Sequence, residues 1–234
     1  MSLIQNLIPV TKYDIKCPYY MDPKGICIHN TANDAPAINE RNYMASNNNE
    51  VSFHIAVDDI QAIQCVPFNR NCWASGDGGN GEGNRNYIHL EICYSLSGGD
   101  RFIKAEQRAA KEVALLLKQY GWGIDRVKKH QDFSNKYCPH RTLDMGWQRF
   151  LNMIQAELNN LNTRSESDMK KIVTYYGDAD AFAAIIVAQR NGCPLMSVKD
   201  YVSSGLKADE VIQIGGKQED TNRYASFRNA AKLV

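Results

Sequence analysis

Lys129-His130-Gln131-Asp132-Phe133-Ser134-Asn135-Lys136-Tyr137-Cys138-Pro139-His140 places two good zinc ligands, His130 and Cys138, eight positions apart. A third candidate, His29, lies far upstream. The residues before it, Gly25-Ile26-Cys27-Ile28, read as a short buried strand. Two histidines and one thiolate occupy three corners of a tetrahedron. The fourth is then free for water, which separates a catalytic zinc from a structural one. Ligands of this kind imply a hydrolytic zinc centre.

Between these ligands the chain alternates strand and helix signals. Ala35-Pro36-Ala37 opens a short helix carrying Tyr43 and Met44. Val51, Phe53, Ile55 and Val57 point one way and Ser52, His54 and Ala56 the other, as a half-buried strand requires. Asp58-Asp59 turns the chain, and Ala62 to Val66 reads as the return strand. Residues 74 to 86 are glycine-rich. No Lys-Ser or Lys-Thr closes them and no helix is expected after them, so they match no phosphate-binding pattern. A substrate-lining loop and a plain connector both fit. Tyr87 to Cys93 is a strand with Ile88, Leu90 and Ile92 on one face and Tyr87, His89, Glu91 and Cys93 on the other. Lys104 to Tyr120 is an amphipathic helix ended by Gly121, and a short strand then delivers His130. A further helix carries Trp147, Phe150, Leu151, Ile154 and Leu158 on one stripe.

The chain has 234 residues, enough for one large domain and one small one. An apolar fraction of 44% suits a globular core. A net charge of +1 with no basic block offers no footprint for nucleic acid or anionic lipid. No stretch approaches the roughly 18 apolar residues of a membrane span. The first residues show no secretory signal, and Met1-Ser2-Leu3 reads as an added leader. Seven cysteines without paired spacing fit a reduced chain, most of them as small buried hydrophobes.

Four segments carry a resemblance: Cys27-Ile28-His29-Asn30-Thr31, Val51 through Asp59, Asn86 through Ile92, and His130 through Cys138-Pro139. With them, residues 20 to 160 resemble the zinc-dependent N-acetylmuramoyl-L-alanine amidases, a family that includes phage endolysins, peptidoglycan recognition proteins and autolysins. The resemblance implies an α/β fold, a central mixed sheet flanked by helices. It implies zinc on His29, His130 and Cys138. It also implies cleavage of the amide between muramic acid and the L-alanine of the peptidoglycan stem peptide. A chain of this kind waits in the host cytoplasm and acts once released to the wall.

Glu91 lies on the strand face away from the aliphatic residues, so core packing does not explain it; it is the expected proton carrier. Lys136, two residues before Cys138, is placed to stabilise an oxyanion, or is a solvated loop lysine. Asn30, Thr31, Trp73 and His54 are the expected substrate contacts. A core role for Trp73 and a hydrogen-bonded structural role for His54 stand beside that. His89 and His140 read as structural. Two departures matter. Some relatives have a catalytic tyrosine where this chain has Phe53, and many have a histidine where it has Ala74.

The polar, aperiodic run from Asn159 to Ser167 places a boundary: a catalytic domain over 1–160, a linker over 161–168 and a second domain over 169–234. The second domain reads as a small α/β unit, with a strand over Lys171 to Tyr176 and a helix from Asp180 to Arg190. A strand over Glu210 to Ile214 and a helix from Tyr224 to Val234 follow. Gly215-Gly216 and Asn222-Arg223-Tyr224-Ala225 resemble a Gram-positive cell-wall-binding module, implying a bacterial wall polymer as its partner. At about 65 residues the unit is small for independent folding, so it either self-associates or is supported by the first domain, and Met169 stands where an internal start would release it. The rival functions are a non-catalytic peptidoglycan binder, which would have no use for Cys138, and a zinc amidase acting on free muropeptides.

Overall fold

Runs of branched aliphatic residues supply the strands of a sheet in the computed structural model, which describes residues 3–166, 169–216 and 222–233. Met1 and Ser2 of the expected leader, residues 167–168 of the expected linker, and Val234 lie outside these. The chain divides into two compact units, Met1–Leu161 and Asn162–Val234.

The strands of the first unit are β1 (Ile4–Gln5), β2 (Gly25–Asn30), β3 (Ile55–Val57), β4 (Ala62–Gln64), β5 (Tyr87–Ile92) and β6 (Val127–Lys129). They form one mixed sheet in the order β1-β4-β3-β5-β2-β6, in which only β3 and β4 pair antiparallel. Its helices are α1 (Tyr13–Lys16), α2 (Ala37–Ser46), α3 (Glu82–Asn86), α4 (Gly99–Tyr120), α5 (His140–Asp144) and α6 (Trp147–Glu166). Parallel strands at the centre of such a sheet are covered on both faces. One face of β2 and β5 gives Ile26, Ile28, Ile88 and Leu90 to a core completed by Phe102 and Leu117 of α4 and Phe150 and Ile154 of α6. The other face carries the polar residues. In register, Cys27 stands beside His89 and His29 beside Glu91.

Coverage of both faces corrects the half-buried strand expected over residues 51–57. Ser52 and His54 are as buried as Ile55, whereas Val51 is 61% exposed, and only Ile55–Val57 pairs as strand. The polar positions of that run have internal tasks. Ser52 Oγ donates to the Lys16 carbonyl and accepts from the Trp73 amide at 2.8 Å. A second correction concerns the glycine-rich stretch, which does contain a helix, α3, just before β5. Asp77 accepts from the Gly83 and Asn84 amides, and Asn84 Oδ1 accepts from the Ala74 and Ser75 amides. The loop is thus built rather than slack. A side chain at Gly83 would meet Ser75 Oγ at 2.3 Å, so the helix approaches that closely only with glycine.

Helix α4 begins at Gly99, five residues before the expected start, with Asp100 in its first turn where an acidic group suits the helix dipole. It ends as expected at Gly121, whose left-handed φ of 67° lets its amide reach the Leu117 and Lys118 carbonyls. The polar stretch after residue 159, read as aperiodic, continues α6 to Glu166.

The second unit has β7 (Met169–Tyr175), α7 (Asp178–Asn191), β8 (Leu195–Ser197), α8 (Val198–Ser204), β9 (Ala208–Ile214) and α9 (Arg223–Ala230). Its three strands are parallel in the order β8-β7-β9, over a core of Val173, Ala184, Val187 and Ile214. β8 and α8 were not anticipated. The strand is three residues long, too short for alternation to show. The helix did leave a mark: Ser197 and Asp200 form an N-terminal cap, with Ser197 Oγ accepting from the Asp200 amide at 3.0 Å.

Candidate metal centre

The segment from Lys129 to His140 folds back on itself. β6 ends at Lys129, and His130 begins a tight turn held by the Asp132 carboxylate, which accepts from the Lys129 amide at 3.0 Å. The Gln131 amide then donates to the Cys138 carbonyl at 3.1 Å, closing the loop between the two ligands. His29 stands on the neighbouring strand β2.

These three residues, 2–4% exposed, meet. His29 Nδ1 is 3.0 Å from His130 Nδ1, and Cys138 Sγ is 4.0 Å from His29 Nδ1. Two nitrogens bound to one tetrahedral zinc stand about 3.3 Å apart, and a nitrogen and a sulfur about 3.6 Å. These two separations lie near the spacing zinc requires, all three donor atoms are within 4.8 Å of one another, and the residues fit the metal. His130 also hydrogen-bonds the Ser75 backbone through its ring, and that contact leaves Nδ1 facing the centre. Burial pushes the Cys138 thiol up to about 12, with Glu91 adding to the effect, so metal binding must displace a proton.

An open cleft of about 800 Å³ exposes the centre. Glu91 and Lys136 line it with the three ligands. Glu91 Oε2 is sealed from solvent and has no hydrogen-bond partner among the described residues. A buried carboxylate oxygen left unpaired is costly, and such atoms are retained where chemistry uses them. Burial, with Glu40 adding and Lys136 opposing, pushes the Glu91 carboxyl up to about 8 in the metal-free protein. Lys136 is exposed at the rim, and its charge acts on Glu91, His29, His130 and Cys138 alike.

The expected substrate contacts divide. Trp73 lines the cleft, half-buried, with its Nε1 donating to the Ile15 carbonyl at 2.9 Å and its ring edge-on to Tyr19. Phe53 lines it too. Asn30 borders the cleft, but its side chain is engaged. Oδ1 accepts from the Arg141 and Thr142 amides, while Nδ2 donates to Thr142 Oγ1 and the His29 carbonyl. Asn30 thus ties the strand carrying His29 to the helix that follows Cys138. Thr31 is not among the residues lining the cleft. His54 is also outside it: fully buried, it accepts from the His89 amide at Nδ1 and donates to the Arg70 carbonyl from Nε2. Full burial, with both ring nitrogens engaged, leaves this histidine no route to substrate.

His89 was read as structural, yet its ring touches the centre. Its Nδ1 is 2.9 Å from His29 Nε2. The only signal in the sequence was its place on the same strand face as Glu91. All seven cysteines are free, and six are buried.

Together these features bring three residues able to hold a metal to an open cleft, with a carboxylate beside them. Residues 19–141 match the family model described as N-acetylmuramoyl-L-alanine amidase. The chain is 53% identical over 173 residues to the N-acetylmuramoyl-L-alanine amidase CwlA of Bacillus subtilis, covering 74% of this chain and 64% of that protein. A protein of the same name from a Bacillus species is 43% identical over 100% of this chain and 92% of its own length. The solved structure of PlyL superposes with a TM-score of 0.64 at 56% identity, over 66% of this chain and 97% of that one. The chain belongs to the N-acetylmuramoyl-L-alanine amidase family.

Two outcomes follow from the site's geometry. Replacing Asn30 by alanine removes the acceptor of the half-buried Arg141 and buried Thr142 amides, at a cost of about 1–3 kcal/mol, read as a lower midpoint in urea unfolding of the metal-free protein. An unchanged midpoint would show that the clamp contributes nothing. The second concerns Glu91. Its folded value of about 8 lies above the ordinary 4.5, so the folded metal-free chain holds a proton that the unfolded chain releases. Its contribution to stability is therefore full below about 4.5 and is lost as pH rises through about 8. Metal-free Glu91→Gln is expected to gain on the natural chain across that window and to keep a constant lead above it. A stability difference that does not vary with pH would mean the carboxyl is ionised throughout.

Proposed function

We propose that this chain is a zinc-dependent peptidoglycan hydrolase cleaving the amide between N-acetylmuramic acid and the L-alanine of the stem peptide. The observation that carries this is the convergence of His29, His130 and Cys138 beside a sealed, unpaired carboxylate oxygen of Glu91, in a family of that activity. Zinc held by the three ligands supplies Lewis acidity and a water of pKa roughly 7. Glu91, which lines the cleft, takes the proton of the attacking water on its carboxylate and passes it to the leaving nitrogen. Lys136 offers its ammonium to the oxyanion of the tetrahedral intermediate. Tyr19 and Trp73 provide a rim against which a glycan or peptide packs. Phe53 brings no hydroxyl, so the proton traffic falls on Glu91.

Among the described residues, no helix is long and apolar enough to cross a membrane. A relative at 28% identity is named endolysin PlyTW, of Staphylococcus phage Twort, which supports release of this chain to act on the wall. We infer further that residues 162–234 bind a wall polymer. Phe182, Ile185 and Ile186 of α7 are exposed, a surface on a small unit that supports self-association.

The activity is tested on purified peptidoglycan by mass analysis of the products, which are expected to carry stem peptides with a free L-alanine amine. Glu91→Gln should lower turnover by about 100-fold or more while metal content is unchanged. Cys138→Ser should lose metal and activity together. Full turnover in Glu91→Gln would assign the proton transfer elsewhere. For the second unit, full-length Glu91→Gln is expected to sediment with cell walls and a chain ending at Leu161 to stay in solution. Equal sedimentation of the two would remove the wall-binding role.

A further inference from the structure

Behind the three ligands lie polar groups that the proposed reaction does not use. His89, fully buried on β5, places its Nε2 3.0 Å from the carbonyl oxygen of Gly83. A carbonyl oxygen only accepts, so Nε2 carries the proton. Away from water the ring is neutral, because burial disfavours the charged form, and its Nδ1 is then a bare acceptor. That acceptor is 2.9 Å from His29 Nε2. His29 therefore donates from Nε2 and keeps its lone pair on Nδ1, the atom that faces His130 and Cys138. His54 holds the arrangement from behind, receiving the His89 amide at 2.9 Å and giving its own Nε2 proton to the Arg70 carbonyl at 2.8 Å.

We infer that His89 is a positioning residue of the metal centre: it relays the Gly83 carbonyl through its ring and fixes His29 in the tautomer that aims a bare Nδ1 at the other two ligands. The inference rests on the zinc centre proposed above. Without the acceptor, His29 is free to carry its proton on Nδ1, where it would point an N–H at the other ligands. The same groups have one competing use. Cys27, His29 and His89 also offer ligand atoms within 4.8 Å of one another. A metal there would take the His29 Nε2 lone pair, which the relay fills with a proton, so the two arrangements exclude each other.

The test uses the full chain, stripped of metal and titrated with zinc against a chromophoric chelator. His89→Leu is expected to bind zinc about 10–100-fold more weakly than the natural chain. His89→Asn, whose Oδ1 can stand in for Nδ1 as acceptor, should retain most of the affinity, and Cys27→Ser all of it. Urea unfolding of each metal-free variant separates this from a merely structural role, which would lower the midpoint and leave affinity alone. In the zinc-loaded natural chain, long-range proton–nitrogen NMR should find both His29 and His89 protonated on Nε2 and bare on Nδ1. A proton on either Nδ1, or equal affinity in His89→Leu, overturns the relay, and the NMR result decides even where a variant fails to fold. Zinc lost in Cys27→Ser would overturn it in favour of the competing trio. A natural chain that binds no zinc would instead remove the metal centre itself.

Discussion

Two imidazole nitrogens held 3.0 Å apart, with a thiol alongside, form the constraint on which the first unit depends. Lone pairs brought that close repel unless a proton or a cation lies between them. The surrounding fold maintains the approach. The Ser75 backbone anchors the His130 ring, and His89 anchors that of His29. His89 takes the Nε2 side of His29, and the two Nδ1 atoms of His29 and His130 face each other. The candidate ligands are thus held together by hydrogen bonds of the fold itself.

Such a site needs burial on one side and access on the other, and the sheet provides both. Its aliphatic face packs on α4 and α6. Its polar face sets His29 beside Glu91 and Cys27 beside His89. Parallel pairing places these neighbours at one level, so the candidate ligand His29 and the Glu91 carboxylate share a floor. Asn30 then joins that floor to α5, and the Gln131-to-Cys138 hydrogen bond closes the loop bearing the other two ligands. The cost is electrostatic. Burial disfavours the charged forms of Glu91, Cys138 and His29 together, and Lys136 at the rim supports only the first two. A divalent cation relieves the thiol and the carboxylate at once.

Some features were legible because they are local. The strand before His29, the Gly121 stop of α4 and the short strand that delivers His130 each depend on a few adjacent residues. Others misled for a physical reason. The alternation over 51–57 suggested one wet face, but a strand covered on both faces keeps its polar residues inside with internal partners. The glycine-rich stretch concealed α3, since the Asp77 carboxylate that caps it acts from five residues upstream of Glu82. Of the two readings His54 allowed, its internal hydrogen bonds fit the structural one, while His89, expected to be a strut, touches a ligand.

By itself the sequence determined the kinds of atoms available: two histidines and a cysteine at the ends of predicted strands and loops, and a carboxylate on a polar strand face. Only the tertiary structure decided which of them meet. His29 and His130 are 101 positions apart, and no periodicity within either segment specifies that β2 lies between β5 and β6. Periodicity records which side of an element is buried. The order of the strands, the register of His29 with Glu91 and the direction of each imidazole ring are set by packing and hydrogen bonds between segments distant in the chain.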